Sequence, residues 1–250
     1  MKSVALISAV GGAGRTTFTA QLASLHAQLG RTAAALEFDP HNQLGFCLGL
    51  EQVAEQGIAS DSATGRLWCD SACRNHDGVV FLPFGQPTPA ERARFETLLL
   101  SEPHWLAERL AEIDLNDDAV LLIDAARFPS AYASQACAAA DLILVLLPPE
   151  PQALMALAPL RQQLAPLGKP VVFVPNKLDA TQALKSDIMD LLRQRLGRLL
   201  LPYRVHHDAM VSEAWAAGRP VCEYAPRSQA AHDFNGLAGW LDRWMQGENA

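Results

Sequence analysis

Val4–Thr17 reads VALISAVGGAGRTT. An apolar run with small residues breaks at Gly11-Gly12, and Gly14-Arg15-Thr16-Thr17 opens a helical pattern. Strand, glycine-rich turn and helix N-terminus in that order make an anion cradle. Several backbone N–H groups must turn toward one ligand, and side chains on the loop would block that approach. The helix that follows adds its own unpaired N–H groups and the positive end of its dipole. A hydroxyl at Thr16 stands where the Mg²⁺ of a nucleoside triphosphate is held. The fit to G-x-x-x-x-G-K-[ST] is partial: aligned on Gly14, the first consensus glycine falls on Ala9, and Arg15 replaces the lysine. A tight glycine turn that binds nothing is the alternative reading of the same residues.

Working outward, Phe18, Leu22, Leu25 and Leu29 recur at helical spacing before Gly30, which predicts a helix over 16–29. Residues 32–38 form an apolar strand closing on Glu37-Phe38-Asp39-Pro40. An acid at the C-terminal end of a buried strand stands where open parallel sheets bind ligands. Asp39 is therefore the candidate catalytic residue, ordering an attacking water or the metal shell; an Asp opening a turn before Pro40 is the alternative. Residues 119–124 (AVLLID) close another buried strand on Asp124, the candidate Mg²⁺ group acting through water, or else a plain strand-end acid. Further strands are expected over 79–82, 140–147, 170–175 and 199–205, with one or two helices over 89–113 and a helix over 209–217. Asn176 follows the 170–175 strand and either reads adenine through a paired donor and acceptor or caps the next helix. His206 and His207 point to opposite faces of a strand, which makes them a poor metal pair. Residues 41–78 are irregular and glycine-containing, and read as a switch-like or partner-facing excursion.

Strands alternating with helices indicate an α/β fold: one domain over 1–250, with a mostly parallel β-sheet and helices on both faces. At 250 residues, half of them hydrophobic and 19% charged, the chain can bury a large core. A net charge of −7 argues against coating nucleic acid by electrostatics alone. No apolar run is long enough for a transmembrane helix, and the short run after Lys2 leads straight into the loop, unlike a signal peptide. Cys69 and Cys73 are four apart, but no second pair at zinc spacing follows, so free thiols in a reducing cytoplasm are expected. A helix over 228–245 carries Phe234, Leu237, Leu241, Trp244 and Met245 on one side. Its few cations, Arg227 and Arg243, face Asp233, Asp242 and Glu248, which favours docking on the core or a partner over a lipid surface.

In order, VGGAGRTT, EFDPHNQ, LLIDAARFPS, ADLILVLLPPEP, VPNKLD and VHHDAMVSEAWAAGRPVCEY resemble the MinD/ParA family of deviant P-loop ATPases over nearly the whole chain. Within it, LPFGQ at 82–86 and the stretch from Leu199 to Tyr224 are most similar to BcsQ, the branch associated with bacterial cellulose synthase. The resemblance implies the P-loop NTPase fold of the MinD/ParA type, with ATP and Mg²⁺ as ligands. It places Gly11, Gly12, Ala13, Gly14, Arg15, Thr16 and Thr17 around the phosphates, and Thr16 and Asp124 on Mg²⁺. Asp39 becomes the switch acid near the attacking water, and Asn176 and Asp208 border the adenine. It also implies a homodimer closed face to face around two ATP molecules, with a lysine at the loop's first position reaching across to the other subunit.

Here that position is Val10, and the loop lysine is Arg15. A guanidinium is broader, flatter and more rigid than an ammonium, and phosphoryl transfer depends on closely placed cations. ATP binding with slow or absent hydrolysis is the resulting expectation, the nucleotide serving as dimer glue. The leading functional expectation is a cytoplasmic ATP-dependent homodimer that assembles or regulates the cellulose synthase secretion complex. Its partners would be BcsR-like and BcsE-like regulatory proteins; it would reach the inner membrane or cell pole indirectly and touch no nucleic acid. The alternatives are an active ParA/MinD-type ATPase working on DNA or membrane, which calls for a basic surface, and a pseudo-ATPase scaffold that binds no nucleotide.

Overall fold

The computed structural model describes residues 1–248. In chain order the elements are β1 (Lys2–Ile7), α1 (Arg15–Gln28), β2 (Ala33–Phe38), α2 (Leu44–Cys47), α3 (Ile58–Thr64), β3 (Cys73–Arg74) and β4 (Val80–Leu82). There follow α4 (Pro89–Ser101), α5 (Trp105–Ala111), β5 (Val120–Ala125), α6 (Ala131–Ala139), β6 (Leu142–Leu147), α7 (Pro151–Leu164) and β7 (Val171–Pro175). The chain ends with α8 (Ala183–Leu196), α9 (Ala209–Ala216), α10 (Val221–Tyr224) and α11 (Gln229–Met245).

The strands form one seven-stranded sheet in the order β3-β4-β2-β5-β1-β6-β7, parallel throughout except for the edge pair β3–β4. β2, β5 and β6 are buried along their whole length, as strands covered on both faces must be. One face packs Ile7, Leu36, Phe38, Ile123 and Val145 against α4 to α8. The other packs Leu6, Ala35, Leu122 and Leu144 against α1, α2 and α9 to α11. β1 lies between β5 and β6: the chain runs from β1 through α1 to β2 on one side, and later from β5 through α6 to β6 on the other. The crevice at such a switch point, beyond the carboxyl ends of the strands, is where the Gly11–Thr17 loop sits.

Local signals place several boundaries. α4 begins with Thr88-Pro89-Ala90-Glu91: Thr88 N–H donates to Glu91 Oε2 (2.7 Å), Thr88 Oγ1 accepts from Glu91 N–H (3.3 Å), and Pro89 fills the first turn. The 89–113 region is two helices. The 228–245 expectation matches α11, whose apolar side docks on the core. Phe234 meets Phe18 of α1 edge-on at 4.9 Å between ring centroids, and Leu237 and Leu241 are buried beside it. The face that a lipid surface would need is therefore occupied.

Two sequence expectations are corrected. Residues 199–205 do not form a strand of the sheet. They run alongside β7 with isolated bridges only, Phe173↔Leu200 and Leu178↔His206, and with scattered bonds from Leu201 N–H and Val205 N–H to the Phe173 and Pro175 carbonyls, both 2.9 Å. Leu201 and Val205 are four residues apart but bond to carbonyls only two apart, so the chain bulges outward at the bend of Pro202 and the ladder is broken. Residues 41–78 are more ordered than their glycine content suggested. They contribute α2, α3 and the edge hairpin, and they bury Leu44, Leu48, Ile58 and Trp68 in the core.

Candidate functional site

β1 delivers the loop and α1 receives it. Gly14 precedes α1 in the left-handed region (φ 92°), and no side chain caps the helix or places an acid in its first turn. The first-turn N–H groups are therefore left to an external anion. A Cβ at Gly11 or Gly12 would meet nothing within 4 Å, so the inner wall of the loop faces open space. Gly14 is different: a Cβ there would lie 2.6 Å from Asn176 Nδ2.

That approach exists because Asn176, buried at the end of β7, donates Nδ2–H to the Ala13 carbonyl (2.6 Å). Its Oδ1 accepts from Lys177 N–H (2.8 Å), so both ends of the amide are engaged. Lys177, with φ 57°, donates from Nζ to the Gly12 carbonyl (2.7 Å). The loop is thus clasped by two consecutive residues distant in sequence. Lys177 was not among the sequence candidates; its adjacency to Asn176 in the VPNKLD segment was the available signal.

The loop opens onto a cleft of about 830 Å³, whose walls include Arg15, Arg92, Arg127 and Lys177. Asp39 and Glu96 line it too and pair with Arg15 and Arg92, which leaves Arg127 and Lys177 as the excess positive charge for an anionic ligand. A smaller recess of about 100 Å³ lies on the far side of Gly14, bordered by Asn176, His207, Asp208, Val211 and Phe234. Asp208 holds that wall together: Oδ1 accepts from Met210 N–H at the start of α9 (2.9 Å) and Oδ2 from Ala230 N–H in α11 (3.1 Å).

Below the loop two acids meet. Asp124 of β5 and Glu37 of β2 are paired in register on neighbouring parallel strands, so their side chains share the α1 face. Neither oxygen of the fully buried Asp124 has a hydrogen-bond partner among the described residues. Burial pushes its carboxyl up to about 7, with the Thr16 hydroxyl and Arg15 guanidinium as opposing influences. A buried carboxylate without donors, beside a threonine hydroxyl at the start of α1, fits a divalent cation. Thr16 and Asp124 are the residues that would hold it.

Glu37 was read only as part of a strand end. Its Oε1 accepts from Leu44 N–H (2.7 Å) and anchors α2, while Oε2 is buried without a partner among the described residues. Burial, then the nearby Asp124 charge, push this carboxyl up to about 9. The folded state therefore keeps a proton that the unfolded chain releases above its ordinary value of 4.5. Stability falls as pH rises through that window. Glu37→Gln keeps an acceptor for Leu44 without needing the proton, and is expected to stabilise the protein at pH 7 by on the order of 2–3 kcal/mol. Urea unfolding of both proteins across pH 5 to 9 checks this: the gap should widen as pH rises, and a constant gap rejects the explanation.

Asp39, buried just past the end of β2, has its carboxylate fully engaged. Oδ1 accepts from His41 N–H (3.0 Å) and faces His41 Nδ1 at 2.6 Å, while Oδ2 pairs with Arg15 Nη2 at 3.3 Å. The other arm of the Arg15 guanidinium donates to the Ala125 carbonyl. Both ends of the guanidinium fork are thus held by the carboxyl ends of β2 and β5, at the floor of the cleft. His41 is a second participant that sequence reasoning missed.

The profile of the family described as "Cellulose biosynthesis protein BcsQ" matches residues 1–241. The cellulose biosynthesis protein BcsQ of Salmonella typhimurium is 28% identical over 238 residues, which cover 92% of this chain and 90% of that protein. Among solved structures, the cell division ATPase MinD of Pyrococcus furiosus superposes with a TM-score of 0.81 at 21% identity, covering 97% of this chain and 99% of that one. The septum site-determining protein MinD of Pyrococcus horikoshii, complexed with Mg-ADP, gives 0.77 at 22% identity, covering 97% and 96%.

Proposed function

The chain belongs to the cellulose biosynthesis protein BcsQ family and has the fold of MinD/ParA-type P-loop ATPases, and on that premise we propose that it works as an ATP-gated homodimer that turns over little nucleotide. In this reading the amides of Gly11 to Thr17 and the α1 N-terminus bind the phosphates, and Thr16 and Asp124 hold Mg²⁺. Bound there by Thr16 and Asp124, the cation would supply charge neutralisation. The recess beside Gly14 receives the base, with Asn176 and Asp208 in its wall. The Mg-ADP complex of the Pyrococcus horikoshii MinD, a relative in fold, supports the choice of ligand.

The observation that carries slow hydrolysis is the Arg15–Asp39 pair. The acid that would orient a water is held by a guanidinium on one side and by His41 on the other. Val10 offers no charge to a second subunit. Binding is retained while the chemical step lacks placed cations. Such a protein acts by assembly, here of the cellulose synthase secretion complex through its regulatory proteins, BcsR-like and BcsE-like. No helix among the described residues is long and apolar enough to cross a membrane, which fits recruitment to the inner membrane through those partners.

Light scattering with Mg-ATP, paired with recovery of the bound nucleotide, tests the proposal. The expected result is a doubling of mass, reversed by removing Mg²⁺, with ATP recovered intact. An unchanged mass, or turnover equal to that of relatives with both lysines, overturns it. Equilibrium dialysis with labelled ATP separates the scaffold that binds no nucleotide.

A further inference from the structure

Away from the nucleotide cleft, the turn 75–78 between β3 and β4 brings His76 and Asp77 against Glu223 of α10. His76 Nε2 lies 3.2 Å from Asp77 Oδ1 and 3.9 Å from Glu223 Oε2, and the three ligand atoms all fall within 4.8 Å of one another. The Asp77 side chain is only 10% exposed, and its Oδ2 is buried with no hydrogen-bond partner among the described residues. Glu223 Oε2 is in the same condition. Buried carboxylate oxygens are costly without a donor, and one left bare marks a place for an ion or an ordered water.

Charge and packing point to an ion. Arg219 donates from Nε to Glu223 Oε1 (2.9 Å), which turns Oε2 toward His76. With a neutral imidazole, the two acids and Arg219 leave one negative charge uncompensated. The imidazole is seated against the Gly49–Gly218 contact. The position a Cβ would take on Gly49 is 3.5 Å from His76 Cε1 and Nδ1, an ordinary packing distance that seats the ring against this backbone.

We propose that His76, Asp77 and Glu223 bind a divalent transition-metal ion of the Zn²⁺ class, with water completing the shell. One imidazole nitrogen and two carboxylate oxygens suit such an ion better than Mg²⁺ or Ca²⁺. Ligands at 2.0–2.2 Å in a tetrahedral site stand about 3.3–3.6 Å apart; the two separations from His76 are 3.2 and 3.9 Å and all three lie within 4.8 Å, so a small inward movement of the Glu223 carboxylate completes the site. The ion staples the sheet-edge hairpin to the segment following α9, the helix that places Trp215 in the wall of the nucleotide cleft.

The test is Zn²⁺ binding by competition with a chromogenic chelator, on full-length protein carrying Cys69→Ser and Cys73→Ser, so that the exposed thiols cannot take the metal. One Zn²⁺ per chain is expected, with unchanged affinity after Asp124→Asn in the nucleotide site. His76→Asn and Glu223→Gln should each weaken binding by about tenfold or more. Zn²⁺ should raise the Tm of the parent more than that of either variant at the same concentration. His76 is 57% exposed, so its replacement leaves the fold intact. No stoichiometric Zn²⁺, or the same affinity in both variants, overturns the site without touching the nucleotide reading.

Discussion

Gly14→Ala is expected to weaken Mg-ATP binding by about a hundredfold or more, measured by calorimetry or dialysis. Two independent costs act at this position. Alanine is disfavoured at φ 92° by roughly 1–2 kcal/mol. Its Cβ would also stand 2.6 Å from Asn176 Nδ2, which forces the buried amide off the Ala13 carbonyl at a cost of about 1–3 kcal/mol. A hundredfold in affinity corresponds to about 2.7 kcal/mol, so the two together reach it if the strain falls on the loop. Circular dichroism separates loop damage from global unfolding. An unchanged Kd in Gly14→Ala would mean that the loop is not the phosphate site.

The second large effect is a gain. Val10→Lys combined with Arg15→Lys is expected to raise ATP turnover by about a hundredfold, read as phosphate release under saturating Mg-ATP. Losing one well-placed donor to a developing oxyanion typically costs on the order of a hundredfold in rate, and this chain departs from the lysine pattern at two positions. A lysine at 15 releases Asp39 from its guanidinium partner and places a compact ammonium at the phosphates. Asp39→Asn in the double variant should cancel the gain, because the acid acts only once freed. Should the double variant bind ATP normally and still not turn it over, the limit lies outside the two loop positions, and the Arg15–Asp39 account of slow hydrolysis fails.

Much of the scaffold was legible without coordinates. Strands 119–124, 140–147 and 170–175 announce themselves as continuous apolar runs, because strands covered on both faces have no polar side to show. Glycines at 11, 12 and 14 locate the loop because only a side-chain-free backbone can wrap an anion. The exception among the strands, 199–205, carried the same apolar signal, but the chain bulges at the Pro202 bend between its two bonds to β7 and forms isolated bridges only. The 41–78 segment failed for the opposite reason: Leu44 and Leu48 are held on the α1 face of the sheet and Ile58 and Trp68 on the α4 face, with little periodicity of their own.

Local chemistry, then, was enough for the fold class, the glycine-rich loop between β1 and α1, the family resemblance and the acids at the strand ends, since each depends on neighbours a few residues apart. Which groups face one another required the folded chain. Glu37 meets Asp124 through the register of two parallel strands, and Arg15 meets the Ala125 carbonyl 110 residues away. Lys177 reaches Gly12 across 165 residues, and His76 meets Glu223 where an edge hairpin touches α10. Pairings of that kind are set by sheet order and packing, which act between residues that the sequence keeps far apart.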